Sequence, residues 1–151
     1  MSPPPEYTHD NIVTRLIRLI TLELARLGVS GKLYAPRAAI WTSDRTYLEP
    51  DLFYVSADTE ARLDPERRTT ADLVIEVISP GSAIYDRNTK ADTYAALGVK
   101  ELWLVDEAET VKVRTLAGSR YAEGTVLMKG EQLKSLVIPE LVIDVTGIFE
   151  D

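Results

Sequence analysis

Asp72-Leu73-Val74-Ile75-Glu76-Val77-Ile78 is the stretch on which the fold turns. It is almost continuously apolar, rich in β-branched side chains and of strand length. Such a run belongs in the middle of a sheet, covered on both faces. Ser79-Pro80-Gly81-Ser82 follows with turn composition. The next segment predicts a helix from about Asp86 to Leu97, with Gly98 as its terminator. Glu101-Leu102-Trp103-Leu104-Val105 then reads as a second buried strand. A strand, a helix and a strand in this order obey the right-handed crossover rule, which makes the two strands parallel neighbours or near neighbours.

Upstream, residues 8–27 predict a helix that Thr8 or Asp10 can cap and Gly28 can end. Its apolar stripe is Ile12, Val13, Leu16, Leu19, Ile20, Leu24 and Leu27. Residues 1–7, with Pro3-Pro4-Pro5, read as a loose arm. Leu33–Trp41 is strand-like, with Pro36 marking an edge or a bulge. Asp51–Val55 is a short strand, and residues 56–70 are a polar loop or short helix. Residues 110–136 predict an antiparallel meander with turns at Ala117-Gly118-Ser119, Gly124 and Gly130. The apolar tail 141–149 closes the core. The expected architecture is one α/β domain over residues 1–151, with a mixed β-sheet and a helix against each face.

The chain has 151 residues, 45% hydrophobic and 27% charged, the profile of a globular protein with a full core. No apolar run approaches membrane-spanning length, and the opening residues lack the basic-then-apolar pattern of a secretory signal. There is no cysteine, which excludes disulfides, zinc thiolate sites and cysteine nucleophiles. His9 is the single histidine, so multi-histidine metal sites are excluded as well. Chemistry must rest on carboxylates, Lys, Arg, Tyr, Ser or Thr. The net charge of 17 − 24 = −7 makes the chain a poor general binder of nucleic acid, so such a role needs a local basic face or a bound cation. The acidic balance also fits an ordinary cytoplasmic protein.

Four residues stand out. Glu76 interrupts the apolar strand, where an ionised carboxylate is costly. It is paired with a buried Arg, or the strand is half exposed, or it is a metal ligand or general acid/base. Asp51 follows Pro50 at the start of a short strand. Lys90 lies near a helix N-terminus, where, like Arg87, it opposes the macrodipole. Asp86 as N-cap offsets part of that, and a local Asp86–Lys90 contact is the plain reading of the lysine. Tyr94 is four residues after Lys90, on the same helix face. Two carboxylates on neighbouring strands can hold Mg²⁺ or Mn²⁺ through oxygen ligands, and a nearby ammonium can assist an attacking water or a phosphate. Glu23, inside the apolar helix stripe, must be paired, protonated or turned to a polar cavity. Arg62, Arg67 and Arg68 read as a solvated charged loop, and Trp41 and Trp103 as core rather than stacking platforms.

The runs Glu49-Pro50-Asp51-Leu52, Asp72 to Pro80, Asp86-Arg87-Asn88-Thr89-Lys90 with Tyr94, and Gly98 to Asp106, in this order, resemble the Uma-type restriction-endonuclease family, a branch of the PD-(D/E)xK nuclease superfamily. The resemblance covers roughly residues 9–149. It implies a restriction-endonuclease-like fold. It also implies that Asp51 is the aspartate of the proline–aspartate motif and Glu76 the second acid. The usual lysine position, two residues after that acid, is Ile78 here, so the resemblance implies a lysine moved to the following helix, Lys90. It further implies that Glu23 is an accessory acid of the first helix, and it matches His9 to a histidine at the start of that helix. Relatives commonly carry an upstream hairpin-like segment that has no counterpart before the first helix here.

The function so implied is Mg²⁺- or Mn²⁺-dependent hydrolysis of DNA phosphodiester bonds by in-line water attack. The alternatives are a catalytically silent nuclease-fold module for binding or assembly, and a sugar- or small-phosphate hydrolase on the same carboxylates. A homodimer is expected for a nuclease that cuts both strands of a duplex.

Overall fold

The computed structural model describes the backbone of residues 5–79 and 84–151 and the side chains of 7–79 and 87–151. The chain opens with α1 (Pro5–Leu27), followed by β1 (Lys32–Tyr34), β2 (Ile40–Trp41), β3 (Tyr47–Leu48) and β4 (Leu52–Val55). Next come α2 (Ala57–Arg62), β5 (Leu73–Ile78), α3 (Ile84–Ala96) and β6 (Glu101–Asp106). The remainder is β7 (Thr110–Ala117), β8 (Arg120–Tyr121), β9 (Thr125–Met128), β10 (Gln132–Lys134), β11 (Val142–Asp144) and α4 (Thr146–Phe149).

The main sheet runs β1-β4-β5-β6-β7, with β8 and β9 both paired to β7. Only β5 and β6 are parallel neighbours; the other pairs in this sheet are antiparallel. The strand–helix–strand unit therefore forms the centre, and the mixed α/β fold is as the sequence predicts.

Period-two alternation along β5 sorts its side chains between two cores. Leu73, Ile75 and Val77, with Trp103 and Val105 of β6, pack against Ile12, Leu16 and Ile20 of α1. The tail residues Leu141, Ile143, Val145 and Ile148 join the same cluster, so the C-terminal segment does close this core. On the other face, Val74 and Leu102 meet Ala91, Tyr94 and Ala95 of α3. Glu76, two residues beyond Val74, also belongs to the α3 face.

Both long helices end as their glycines require. Gly28 and Gly98 adopt φ of +66° and +83°. The amides of Val29 and Val99 then reach back to the carbonyls of Leu24 and Tyr94 at 3.0 and 3.1 Å. An L-residue with a Cβ resists that left-handed backbone.

Several boundaries differ from the sequence reading. Helix α1 begins at Pro5, so residues 5–7 are helical; proline is tolerated in a first turn because no intrahelical donor is needed there. The rest of the expected arm, residues 1–4, lies outside the described residues, as do residues 80–82 of the expected turn. The run 33–41 is broken: β1 pairs with β4, while β2 turns away to pair with β3. The expected meander is one hairpin whose return arm is split into β8 and β9 around Gly124. A Cβ on Gly124 would come within 2.6 Å of the Val113 carbonyl oxygen, so the bulge needs glycine. Strand β10 leaves the sheet and pairs with β11, because Leu133 and Ile143 are needed under α1.

Buried polar residues tie the loops to the sheet. Glu101 is fully buried and accepts from Trp103 Nε1, Ser135 Oγ and the amides of Leu136 and Val137. Asp72 accepts from the Ser56 amide and Thr59 Oγ1, fixing the start of α2. No helix among the described residues is long and apolar enough to cross a membrane.

Candidate active site

Asp51 stands immediately before β4. The register Leu52↔Ile75 places it opposite Glu76 on the neighbouring strand. Both side chains lie at the carboxyl end of β5, where open α/β sheets form ligand crevices. The link between them is reciprocal. The Asp51 amide donates to Glu76 Oε1 at 3.1 Å, and the Val77 amide donates to Asp51 Oδ2 at 2.7 Å.

Helix α3 supplies the other side. Tyr94, buried, donates its hydroxyl to Glu76 Oε2 at 3.0 Å. One turn earlier, Lys90 Nζ lies 3.6 Å from the same oxygen. The Glu76 side chain is 10% exposed and that of Lys90 46%, so the carboxylate is sequestered while the ammonium faces the opening. From α1, His9 Nε2 lies 3.0 Å from Asp51 Oδ1. These groups line one cavity of about 220 Å³, together with Glu49 and Arg87.

Burial pushes the Glu76 carboxyl above the ordinary glutamate range; Lys90 opposes the shift and the Asp51 charge adds to it. Burial, and then the Glu76 charge, hold the Tyr94 phenol far above its ordinary range. Tyr94 therefore remains a donor to Glu76 at any working pH.

Of the residues singled out in the sequence, Asp51, Glu76, Lys90, Tyr94 and His9 meet here. Lys90 therefore has a partner in Glu76. Asp86 falls inside the first turn of α3, which starts at Ile84, rather than at an N-cap; its side chain lies outside the described residues.

Glu23 is elsewhere, contrary to expectation. Its carboxylate holds Arg26 at 2.8 Å and accepts the Val142 amide at 3.2 Å. The Arg26 hydrogen bond, then the Val142 amide, lower its pKa to about 2. The reason is length: at 1.5 Å per residue, Glu23 is about 21 Å along α1 from His9, at the opposite end of the sheet.

Two lining residues were not among the sequence candidates. Glu49 pairs with Arg37 at 3.1 Å and stands two residues before Asp51, a spacing that puts both on one side of an extended chain. Arg87 precedes Lys90 by three residues and so shares its helix face.

The donor set suits a hard divalent cation. Asp51 and Glu76 offer only oxygen, and each oxygen that accepts a hydrogen bond retains a second lone pair. Their mutual repulsion, which adds to the burial that raises the Glu76 pKa, is what a cation between them relieves. No group of three His, Asp or Glu side chains is gathered for a metal among the described residues. Two carboxylates with water in the remaining positions is the arrangement Mg²⁺ commonly accepts.

The chain is similar in structure to a putative nuclease belonging to DUF820 from Anabaena variabilis ATCC 29413, with a TM-score of 0.74 and 16% sequence identity. The match covers 99% of this chain and 84% of that one; at this identity it shows a shared fold. No curated protein matches the chain in sequence. The model of the Uma2 family, described as "Putative restriction endonuclease", matches residues 1–146, and with nearly the whole chain matched the protein belongs to that family.

Proposed function

We propose that the protein is a metal-dependent nuclease that hydrolyses DNA phosphodiester bonds at the Asp51–Glu76–Lys90 site. The observation that carries this reading is the ammonium of Lys90 at 3.6 Å from a buried carboxylate that is itself cross-linked to Asp51. A purely structural strand has no use for two facing carboxylates at its end, since their repulsion costs stability.

Asp51 and Glu76 would hold Mg²⁺ or Mn²⁺. When bound, the ion supplies Lewis-acid polarisation of a phosphoryl oxygen and a more acidic water. Tyr94 and the Asp51 amide fix the Glu76 carboxylate in rotation, so no reorientation is needed as substrate arrives. His9 does the same for Asp51. The Lys90 ammonium faces the opening, where it meets the negative charge that develops on the phosphate as water attacks phosphorus and the opposite P–O bond breaks. Scission of both strands of a duplex needs two such sites, which a symmetric pair of chains supplies.

The test is cleavage of supercoiled plasmid and of single-stranded DNA with Mg²⁺ or Mn²⁺ by wild type, Lys90→Ala and Glu76→Gln. Metal-dependent cutting lost in both variants is the expected result. Cutting that persists in both assigns the activity to another site. Intact DNA with wild type, despite a metal-induced rise in thermal midpoint, favours a module that binds without turnover.

A further inference from the structure

The catalytic cavity does not end at Glu76. A second hollow of about 300 Å³ shares Ile78, Arg87 and Leu104 with it and extends over β6, β7 and β9. Its floor follows from register. Glu76 pairs with Leu104, Leu104 with Lys112, and Lys112 with Val126, so the four form one row across the sheet. At about 4.8 Å per strand, Lys112 is about 10 Å from Glu76 along that row.

Helix α3 covers one part of this face, where Ala91, Tyr94 and Ala95 join Tyr121 of β8 in the core. It leaves the row beside β9 open: Val126 and Met128 are 55% and 58% exposed. Among the described residues that line the hollow, Arg87, Lys112 and Arg114 stand with one acid, Asp106. That balance runs against a chain of net charge −7. Arg114 spends its guanidinium on the carbonyls of Ala122 and Tyr121, which fixes the bulge. Among the described residues Lys112 pairs with Glu123 alone, at 3.6 Å, and that glutamate is 93% exposed, so the pair is weak and easily exchanged.

We propose that this open face of β6, β7 and β9 seats the nucleic-acid backbone beside the bond being cut, with Lys112 contacting a flanking phosphate. The proposal rests on the nuclease reading of the neighbouring site. It answers how an acidic protein holds a polyanion: three of its basic groups gather on one track that leads into the catalytic cavity. Contacts of this kind carry no base information, so the track adds affinity without sequence preference.

The experiment is fluorescence anisotropy of a labelled single-stranded oligonucleotide and of its duplex, in Ca²⁺ over a series of salt concentrations. Wild type is compared with Lys112→Ala, Lys112→Gln and, as an off-track control, Lys134→Ala on β10. Thermal midpoints show that each variant is folded. Both Lys112 variants should bind more weakly, with the slope of log K against log[salt] reduced by about 0.7–0.9, the value for one lost phosphate contact. Lys134→Ala should match wild type. Binding by wild type that is undiminished in both Lys112 variants, or equally reduced in Lys134→Ala, overturns the track and leaves the nuclease reading standing. No binding of either oligonucleotide by wild type overturns both.

Discussion

Asp51 and Glu76 each hydrogen-bond to the backbone of the other's strand: the Asp51 amide donates to Glu76 Oε1, and the Val77 amide donates to Asp51 Oδ2. Neither carboxylate can rotate away without breaking a bond to the opposite strand. The two negative charges are therefore held together by β4–β5 pairing, and anything that neutralises them should stabilise the fold.

The first expected outcome concerns that repulsion. Mg²⁺ or Mn²⁺ should raise the thermal midpoint of wild type, because only the native state presents both carboxylates together. In Asp51→Asn the gain should vanish, while the metal-free variant should be as stable as wild type or more so. Thermal unfolding with and without metal reads both effects. An equal metal response in the two proteins places the ion elsewhere.

Burial raises the Glu76 pKa in the native state above that of the unfolded chain. The native protein thus holds this proton more tightly. The resulting stability is fully present below the ordinary glutamate range and is lost as pH rises through the raised native value. Glu76→Gln, without metal, should therefore equal or exceed wild type in thermal midpoint at neutral pH, and the difference should close on acidification. A wild type that is the more stable at neutral pH would mean that the Lys90 pair outweighs desolvation.

Tyr94→Phe removes the hydroxyl bond to Glu76 Oε2. That bond favours the ionised carboxylate, so its loss should raise the Glu76 pKa further. The acid limb of metal-dependent cleavage should move to higher pH, with the plateau rate reduced less than in Glu76→Gln. A pH–rate profile distinguishes this positioning role from a packing role, which would lower the rate evenly at all pH values.

Lys90 is 46% exposed, so although it pairs with Glu76, Lys90→Ala should cost about 1 kcal/mol or less in stability by urea unfolding. The cleavage rate should nevertheless fall about 10²–10³-fold, the usual cost of one preorganised charge donor. Metal-induced stabilisation should survive, since the lysine is not a ligand.

Glu23 should behave in the opposite way. Its pKa is lowered to about 2 by Arg26 and the Val142 amide. The stability it contributes is present above the ordinary glutamate range and lost as pH falls toward 2. Glu23→Gln should lower the thermal midpoint at neutral pH and leave the metal response and cleavage unchanged. Loss of cleavage in a folded Glu23→Gln would return this residue to the site.

The central unit, and which side chains meet at its end, were legible because they depend on local pattern. An apolar run with one acid at Glu76, then Lys90 and Tyr94 at i, i+4 on the next helix, fixes which groups face each other once the helix packs back on its own strand. Gly28 and Gly98 likewise end their helices by a backbone requirement that needs no partner. The helix stripe around Glu23 shows that it lies on the inner face of α1, but position along a helix axis relative to a site is set by how the helix docks. Only the tertiary structure decided that His9, and not Glu23, reaches Asp51. The pairing of β10 with β11, and the division of 33–41 between two sheets, were likewise settled by long-range competition for the α1 core and for the edge of β4. The open row from Glu76 to Lys112 exists only through strand register. Residues 36 positions apart come into line because two hydrogen-bonded ladders fix which side chains share a face, and no local spacing in the sequence carries that information.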